Sequence, residues 1–194
     1  MGAAALARPA GVLMATDADG RAVQIGKAVT SDGRPRLGVQ VTSNLVAAHS
    51  GRCLDVTGGT DATGNGVPVQ QYDCLGSAQT NQVWSFENET VVGGDYYYNI
   101  VAAHSGKCLD VTGGNGATGN GVPVQQYDCL GPAAANQQWR MVVFKVKLQL
   151  VARHSGKCLD VTGGDGATGN GVSVQQYDCL GLSQSNQMWY RFRP

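Results

Sequence analysis

Asp55, Gln70, Tyr72 and Asn81 are residues of types that together can bind a sugar. A carboxylate accepts hydrogen bonds from two sugar hydroxyls, and its charge strengthens them. A side-chain amide both donates and accepts hydrogen bonds. A tyrosine ring offers a flat apolar surface to the C–H face of a sugar, together with a polar tip. We therefore interpret these four residues as a candidate sugar-binding set.

This set, called here the polar cluster, occurs three times in the chain. Each copy lies in a block of 36 residues, and the blocks span residues 49–84, 104–139 and 154–189. The second and third blocks are identical at 29 of 36 positions and align without a gap. The remaining copies are Asp110, Gln125, Tyr127 and Asn136 in block two, and Asp160, Gln175, Tyr177 and Asn186 in block three.

Each block alternates strand-like runs with turn signals. Residues 53–56 and 67–74 are the strand-like runs, and Asn65-Gly66 is a strong turn signal because both residues tolerate positive φ. Gln70 and Tyr72 are two apart on one predicted strand, so their side chains should share a face. We expect about four short strands per repeat and about twelve in all.

The repeats must also supply a common core, because one unit of this size cannot bury its apolar face alone. Three units can pool their Val, Leu and Trp side chains, which predicts an all-β protein closed into a three-fold barrel. An open β-solenoid is the alternative, although solenoid repeats are usually shorter and more numerous.

The six cysteines follow the same repeat, with two in each block at a separation of 21 positions. Repeat symmetry allows either pairing inside each block or cyclic pairing between blocks, and local pairing closes the shorter loop. Each bridge would stabilise the fold by roughly 3 kcal/mol. Disulfides persist in oxidising compartments, so we expect a secreted or extracellular protein. Zinc binding is disfavoured by the absence of a Cys-x-x-Cys motif. The six cysteines are Cys53, Cys74, Cys108, Cys129, Cys158 and Cys179.

Charge and hydropathy exclude several classes of partner. The 194 residues include 14 basic and 14 acidic ones, so no overall field attracts nucleic acid or an anionic membrane. No apolar run approaches the roughly 20 residues of a membrane-spanning helix. We expect a monomer that inserts into no membrane and needs no cofactor or metal.

The Cys-Leu-Asp-Val, Val-Gln-Gln-Tyr-Asp-Cys and Asn-Gln-x-Trp elements resemble those of the ricin B-type (R-type) lectins and family 13 carbohydrate-binding modules. The resemblance covers roughly residues 43–194. It implies a β-trefoil with up to one shallow site per repeat, for galactose- or xylose-containing glycans. It also implies that Asp takes the sugar hydroxyls, the first Gln flanks it, Tyr stacks on the ring and Asn completes the site. The Gln of each Gln-x-Trp element would hold the fold together behind the site; these are Gln82, Gln137 and Gln187.

Two features depart from this pattern. The family often has an apolar residue at the position of Gln71, on the inward side of the strand, and a buried Gln needs hydrogen-bond partners. The link between blocks two and three, residues 140–153, is five residues shorter than the preceding link and contains no Gly, Pro, Asn or Asp. We therefore expect an altered hairpin there and regard the third cluster as the least secure.

Residues 43–194 are thus predicted to form a multivalent lectin domain without catalytic residues, because catalytic sites seldom come as three equal copies on one small domain. Residues 1–42 form an N-terminal extension, which could be the tail of a preceding domain. Two alternatives stay open. The chain could be a fragment of a secreted glycoside hydrolase that lacks its catalytic domain, or a trefoil scaffold or inhibitor that binds protein.

Overall fold

The computed structural model describes residues 12–17, 21–27 and 42–194, and they form an all-β architecture without an α-helix. Six short 3-10 helices lie in the turns, two in each block. The strands are β1 Val12–Asp17, β2 Ala22–Lys27, β3 Thr42–Ala47, β4 Cys53–Val56, β5 Val67–Tyr72, β6 Trp84–Val92, β7 Asp95–Ala102, β8 Cys108–Val111, β9 Val122–Tyr127, β10 Gln138–Phe144, β11 Lys147–Ala152, β12 Cys158–Val161, β13 Val172–Tyr177 and β14 Trp189–Phe192.

Strands β3 to β14 form three units of four, a β-trefoil. This confirms the closed three-fold barrel predicted from the repeats and the trefoil implied by the family resemblance. Within each unit the first three strands pair in antiparallel succession, as in β3–β4 and β4–β5. The strands β5, β9 and β13 pair with one another around the three-fold axis. Strand β14 pairs with β3, at Phe192↔Asn44 among other positions, and this pairing closes the barrel.

The core is built from equivalent residues of the three units. Trp84, Trp139 and Trp189 are fully buried, and each indole N–H donates to the carbonyl oxygen of the Leu in its own Cys-Leu-Asp-Val strand. In that strand Leu54 and Val56 belong to the hydrophobic core. Because side chains alternate along a strand, Asp55 faces the other way. The same strand therefore supplies both the core and the polar cluster.

The disulfides pair the cysteines inside each block, and the cyclic alternative is excluded. The bridges are Cys53–Cys74, Cys108–Cys129 and Cys158–Cys179. Each bridge ties the start of a Cys-Leu-Asp-Val strand to the segment that follows the Val-Gln-Gln-Tyr strand.

The first two strands precede the trefoil and pair with it. Strand β1 is antiparallel to β2 and runs parallel to β10, at Thr16↔Val142. Ala15 is fully buried in the core, and the N–H of Met14 donates to the hydroxyl of Tyr98 at 3.0 Å. Part of the predicted N-terminal extension is therefore in contact with the trefoil.

The short link between blocks two and three still forms a hairpin. Strands β10 and β11 are paired from Trp139↔Ala152 to Phe144↔Lys147, so the turn contains the two residues Lys145 and Val146. Lys145 has a φ of 58°, a left-handed conformation that glycine adopts far more easily. The hairpin is altered as expected, because no turn-forming residue is present.

Candidate functional site

The structure brings Asp55, Gln70 and Asn81 of block one into direct contact. Asp55 on β4 lies opposite Gln70 on β5. The Gln70 amide donates to Asp55 Oδ1 at 2.8 Å, and the Asn81 amide donates to Asp55 Oδ2 at 2.8 Å. Asn81 belongs to the 3-10 helix Thr80–Gln82, which leads into the core Trp. Sheet pairing and the anchored helix together place the three side chains.

The other two blocks contain the same arrangement. Asp110 accepts from Gln125 at 2.9 Å and from Asn136 at 2.8 Å. Asp160 accepts from Gln175 at 2.8 Å and from Asn186 at 2.7 Å. The third cluster is assembled like the first two, so the short hairpin before it does not disturb these contacts.

The tyrosine of each cluster lies beside this hydrogen-bonded core and is more exposed. Tyr72 lies opposite Cys53, two residue pairs along the strand from Gln70↔Asp55 and therefore on the same face. It is 36% exposed, whereas Asp55 is 4% exposed. Tyr127 and Tyr177 occupy the equivalent positions on β9 and β13. The Tyr72 ring is partly exposed to solvent, whereas the Asp55 carboxylate is buried. The two groups could therefore contact different parts of one ligand.

Each cluster carboxylate has little capacity for further hydrogen bonds. A third donor, the Gln82 amide, reaches Asp55 Oδ2 at 2.9 Å. A carboxylate has about four lone-pair sites, so Asp55 Oδ1 is the oxygen with room for a ligand hydroxyl. Burial raises the pKa of Asp55, Asp110 and Asp160, although the three amide donors oppose that rise.

Asn81 and Asn186 supply a second acceptor. Their Oδ1 atoms are buried and have no hydrogen-bond partner, while their amide nitrogens are held by the cluster carboxylate and by a backbone carbonyl. An unpaired buried acceptor in a native fold calls for an explanation, such as a ligand or water. A ligand hydroxyl could therefore donate to these atoms.

Gln82 links the cluster to the loop closed by the disulfide. Besides Asp55, its amide donates to the Asp73 carbonyl oxygen at 2.8 Å, and its Oε1 accepts from the Leu75 N–H at 3.0 Å. Gln82 is fully buried. It fixes the orientation of the carboxylate, and Gln137 and Gln187 do the same in the other blocks.

Each cluster also has neighbours from the following block, which the sequence pattern did not reveal. The ring of His104 in block two contacts the Ala62 carbonyl oxygen of block one at 3.2 Å, and its charge would interact with that of Asp55. Burial lowers the pKa of His104 and likewise that of His154. All three histidine rings contact a backbone carbonyl oxygen of another block.

Gln71 and its counterparts make the same type of contact and account for the departure noted in the sequence. Gln71 is fully buried, and its amide donates to the carbonyl oxygens of Ala167 at 2.7 Å and Gly169 at 2.8 Å in block three. Its Oε1 accepts from the Ser50 hydroxyl at 2.8 Å. In the same way, Gln126 donates to two backbone carbonyl oxygens of block one, and Gln176 donates to two of block two.

One loop position that differs among the three blocks changes the contacts beside the cluster. Asn115 of block two accepts from the Asn136 backbone N–H at 3.0 Å, and Asp165 of block three accepts from that of Asn186 at 2.8 Å. Block one has Thr60 at this position, and no such bond joins it to Asn81 among the described residues. The loop beside the first cluster therefore lacks one hydrogen bond that the loops of the other two blocks make.

Within residues 12–17, 21–27 and 42–194, no group of three or more His, Cys, Asp or Glu side chains could hold a metal ion. No helix among the same residues is long and apolar enough to cross a membrane.

Comparisons with known proteins agree with the architecture. The profile of the family described as ricin-type beta-trefoil lectin domain-like matches residues 38–127, 80–177 and 135–193. The designed three-fold symmetric protein ThreeFoil is 41% identical with a TM-score of 0.66, over 78% of this chain and 97% of the design. A comparison with curated protein sequences finds no match.

Two natural proteins of known structure are also similar. An exo-β-1,3-galactanase from Clostridium thermocellum is 27% identical with a TM-score of 0.68, and the match covers 83% of this chain but 32% of the galactanase. The Rhizoctonia solani agglutinin shares the fold at 19% identity and a TM-score of 0.64, over 82% of this chain and 99% of the agglutinin.

Proposed function

The chain belongs to the ricin-type β-trefoil lectin domain-like family, and from that premise we propose that it is a non-catalytic carbohydrate-binding module with three sugar sites. The observation that carries the proposal is the threefold recurrence of a buried Asp held by three side-chain amides beside a half-exposed Tyr. The proposed ligands are galactose- or xylose-containing glycans. Such a module would act outside the cell, where its three disulfides persist.

In block one, Asp55 Oδ1 and Asn81 Oδ1 accept hydrogen bonds from neighbouring sugar hydroxyls. The Gln70 side chain, already bonded to the carboxylate, flanks the same hydroxyls. Tyr72 covers the C–H face of the ring. We expect each site to bind weakly, with a dissociation constant of millimolar to micromolar order, or roughly −4 to −8 kcal/mol. Three sites on one rigid body would then gain avidity on a polymeric glycan.

Hydrolysis is disfavoured by the donors around the cluster carboxylate. A glycosidase needs one carboxyl group that gives its proton to the leaving group. The carboxylate of Asp110 accepts from three amide N–H groups, which hold it as an acceptor even though burial raises its pKa. The Asp that directly precedes the second Cys of each block is exposed and paired with a cation, as in Lys107–Asp128. We therefore assign these groups to binding and structure.

A second candidate is an accessory module of a larger glycoside hydrolase. The observation that favours it is the similarity of this chain to 32% of the length of the galactanase. In that case the cluster would still bind sugar, and the substrate of the attached enzyme would decide which glycan is relevant.

The test is a titration panel of galactose, lactose, xylotriose and mannose followed by NMR. The key variant replaces Asp55, Asp110 and Asp160 with Asn, which keeps the shape and removes the charge. The matched control replaces Asp73, Asp128 and Asp178 with Asn, since these lie in the same blocks but outside the clusters.

We expect galactose- or xylose-containing ligands to bind the wild type and the control, and to lose all detectable binding to the cluster variant. Binding that survives in the folded cluster variant would show that the site assignment is wrong. No binding of any glycan by the wild type would favour the trefoil scaffold or inhibitor. Hydrolysis of a chromogenic galactoside or xyloside would favour an enzyme.

A further inference from the structure

A basic cleft lies at the hairpin that breaks the three-fold repeat. It has a volume of about 290 Å³, and its lining residues are Val143, Lys145, Val146, Lys147, Leu148 and Arg191. Three of the six carry a positive charge, and none carries a negative one. Most of these residues lie in the link 140–153 and Arg191 lies on β14, so the cleft has no copy in the other two repeats.

Arg191 is the cation that β14 contributes to the cleft. Its Nε–H donates to the Ser43 hydroxyl at 2.7 Å, and its guanidinium lies 5.3 Å from the centre of the Phe86 ring. Among the described residues no carboxylate pairs with it. Burial lowers the pKa of Arg191, and the neighbouring charge of Arg193 acts in the same direction. The guanidinium nevertheless stays charged at neutral pH, so an anion would relieve the cost of burying it.

The two lysines lie on the hairpin that borders the cleft. Lys145 is in the turn, with a φ of 58°, and Lys147 begins β11 with its ammonium 5.5 Å from the centre of the Tyr190 ring. No ion pair holds either lysine among the described residues.

The chemistry of the cleft indicates the ligand class. An Arg fork binds a carboxylate or sulfate group with two parallel hydrogen bonds, and lysines add point charges. Val143, Val146 and Leu148 offer an apolar wall to the rest of the ligand. The volume is near the lower limit of ligand pockets, roughly 300–1,000 Å³, so one ring with one anionic group fits better than an extended peptide.

We propose that this basic cleft binds the carboxylate or sulfate group of an acidic saccharide, independently of the three polar clusters. The choice of a saccharide rests on the proposed function, while the anionic group follows from the cleft itself. A glycan that carries both neutral and acidic sugars could then occupy a cluster and the cleft together, which would increase its avidity.

The test is an NMR titration at low ionic strength with four probes. Trigalacturonate and a sulfated neutral trisaccharide separate the carboxylate from the sulfate. The methyl ester of trigalacturonate keeps the rings without the charge, and triglutamate keeps the charge without the rings. We expect at least one acidic saccharide to shift the signals of Lys145, Lys147 and Arg191, and to bind at least tenfold more tightly than the ester or triglutamate.

Variants locate the site. The double variant K145Q/K147Q should lose at least tenfold in affinity, and R191K should also bind more weakly because it keeps the charge but loses the fork. K157Q removes one positive charge outside the cleft and should change nothing. Near-UV circular dichroism checks that each variant is folded.

The proposal is overturned if neither acidic saccharide binds, if the ester or triglutamate binds equally well, or if the shifts appear at the clusters alone. Replacing Asp55, Asp110 and Asp160 with Asn should leave binding to the cleft intact. If acidic saccharides bind the cleft but no neutral sugar binds the protein, the proposed function is wrong and this inference still holds.

Discussion

The side-chain amide of Gln126 donates a 2.7 Å hydrogen bond to the carbonyl oxygen of Ala62, which lies 64 positions earlier in the neighbouring repeat. The same amide donates to the Gly64 carbonyl oxygen at 2.8 Å. Equivalent bonds run from block one to block three and from block three to block two. The loop beside each polar cluster is therefore held by the block that follows it around the three-fold axis.

Replacing Gln126 with Leu should lower the free energy of unfolding by about 3 kcal/mol. The change removes three hydrogen bonds, two to backbone carbonyl oxygens and one from the Ser105 hydroxyl, and each contributes a net of about 0.5–1.5 kcal/mol. Urea unfolding measures the loss. Q79L is the control, because Gln79 is half-exposed and no side-chain hydrogen bond of it is described. Equal stability of Q126L and wild type would contradict a structural role for these bonds.

Replacing Asp110 alone with Asn should reduce the number of sugar sites from three to two. The amide cannot accept all three hydrogen bonds that the carboxylate receives, so the second cluster should rearrange locally. In a residue-resolved NMR titration, sugar should shift the signals of Asp55 and Asp160 as it does in the wild type. It should not shift the signals near Asn136. Loss of binding at all three clusters would mean that the sites do not act independently.

As the pH is lowered, sugar affinity should fall at a higher pH than the ordinary pKa of an aspartate predicts. Burial raises the pKa of all three cluster carboxyls, and the protonated form accepts fewer hydroxyl bonds. Binding is therefore complete above the raised pKa and is lost as the pH falls through it. Affinity measured between about pH 3 and pH 7 checks this. A midpoint at or below the ordinary value near 3.8 would contradict the prediction.

Replacing Lys145 with Gly should stabilise the protein by about 0.5–1 kcal/mol. Its φ of 58° suits glycine, and the relief of strain exceeds the added entropy of the unfolded chain. The next turn residue provides the control, because Val146 has no positive φ and V146G should destabilise by about 0.5 kcal/mol. Thermal unfolding of both variants would show whether the two changes have opposite signs.

Replacing Thr60 with Asn should stabilise the loop beside the first cluster by about 1 kcal/mol. The new side chain can accept from the Asn81 backbone N–H, as Asn115 accepts from that of Asn136. The reciprocal variant N115T should lose a similar amount. Hydrogen exchange of the Asn81 and Asn136 amides reports the bond directly, and unchanged protection in both variants would contradict the assignment.

Local pattern was sufficient to predict the trefoil and most of each cluster. The repeat of Cys-Leu-Asp-Val, Val-Gln-Gln-Tyr and Asn-Gln-x-Trp predicts twelve strands, and the strands β3 to β14 confirm that number. Alternation along a strand placed Gln70 and Tyr72 on one face, because the side-chain period of a strand is two. The spacing of the cysteines left two disulfide pairings open, and the structure confirms the local pairing that was favoured.

Only the tertiary structure decided which residues meet across repeats. His104 and Gln126 hold the loop of the first block because β5, β9 and β13 close around one axis, and no local pattern encodes that closure. Leu148 pairs with Trp189, which brings β11 beside β14 and so places Arg191 in the cleft beneath the short hairpin. The sequence by itself determined the repeated cluster, whereas long-range strand pairing decided its neighbours and assembled the basic cleft.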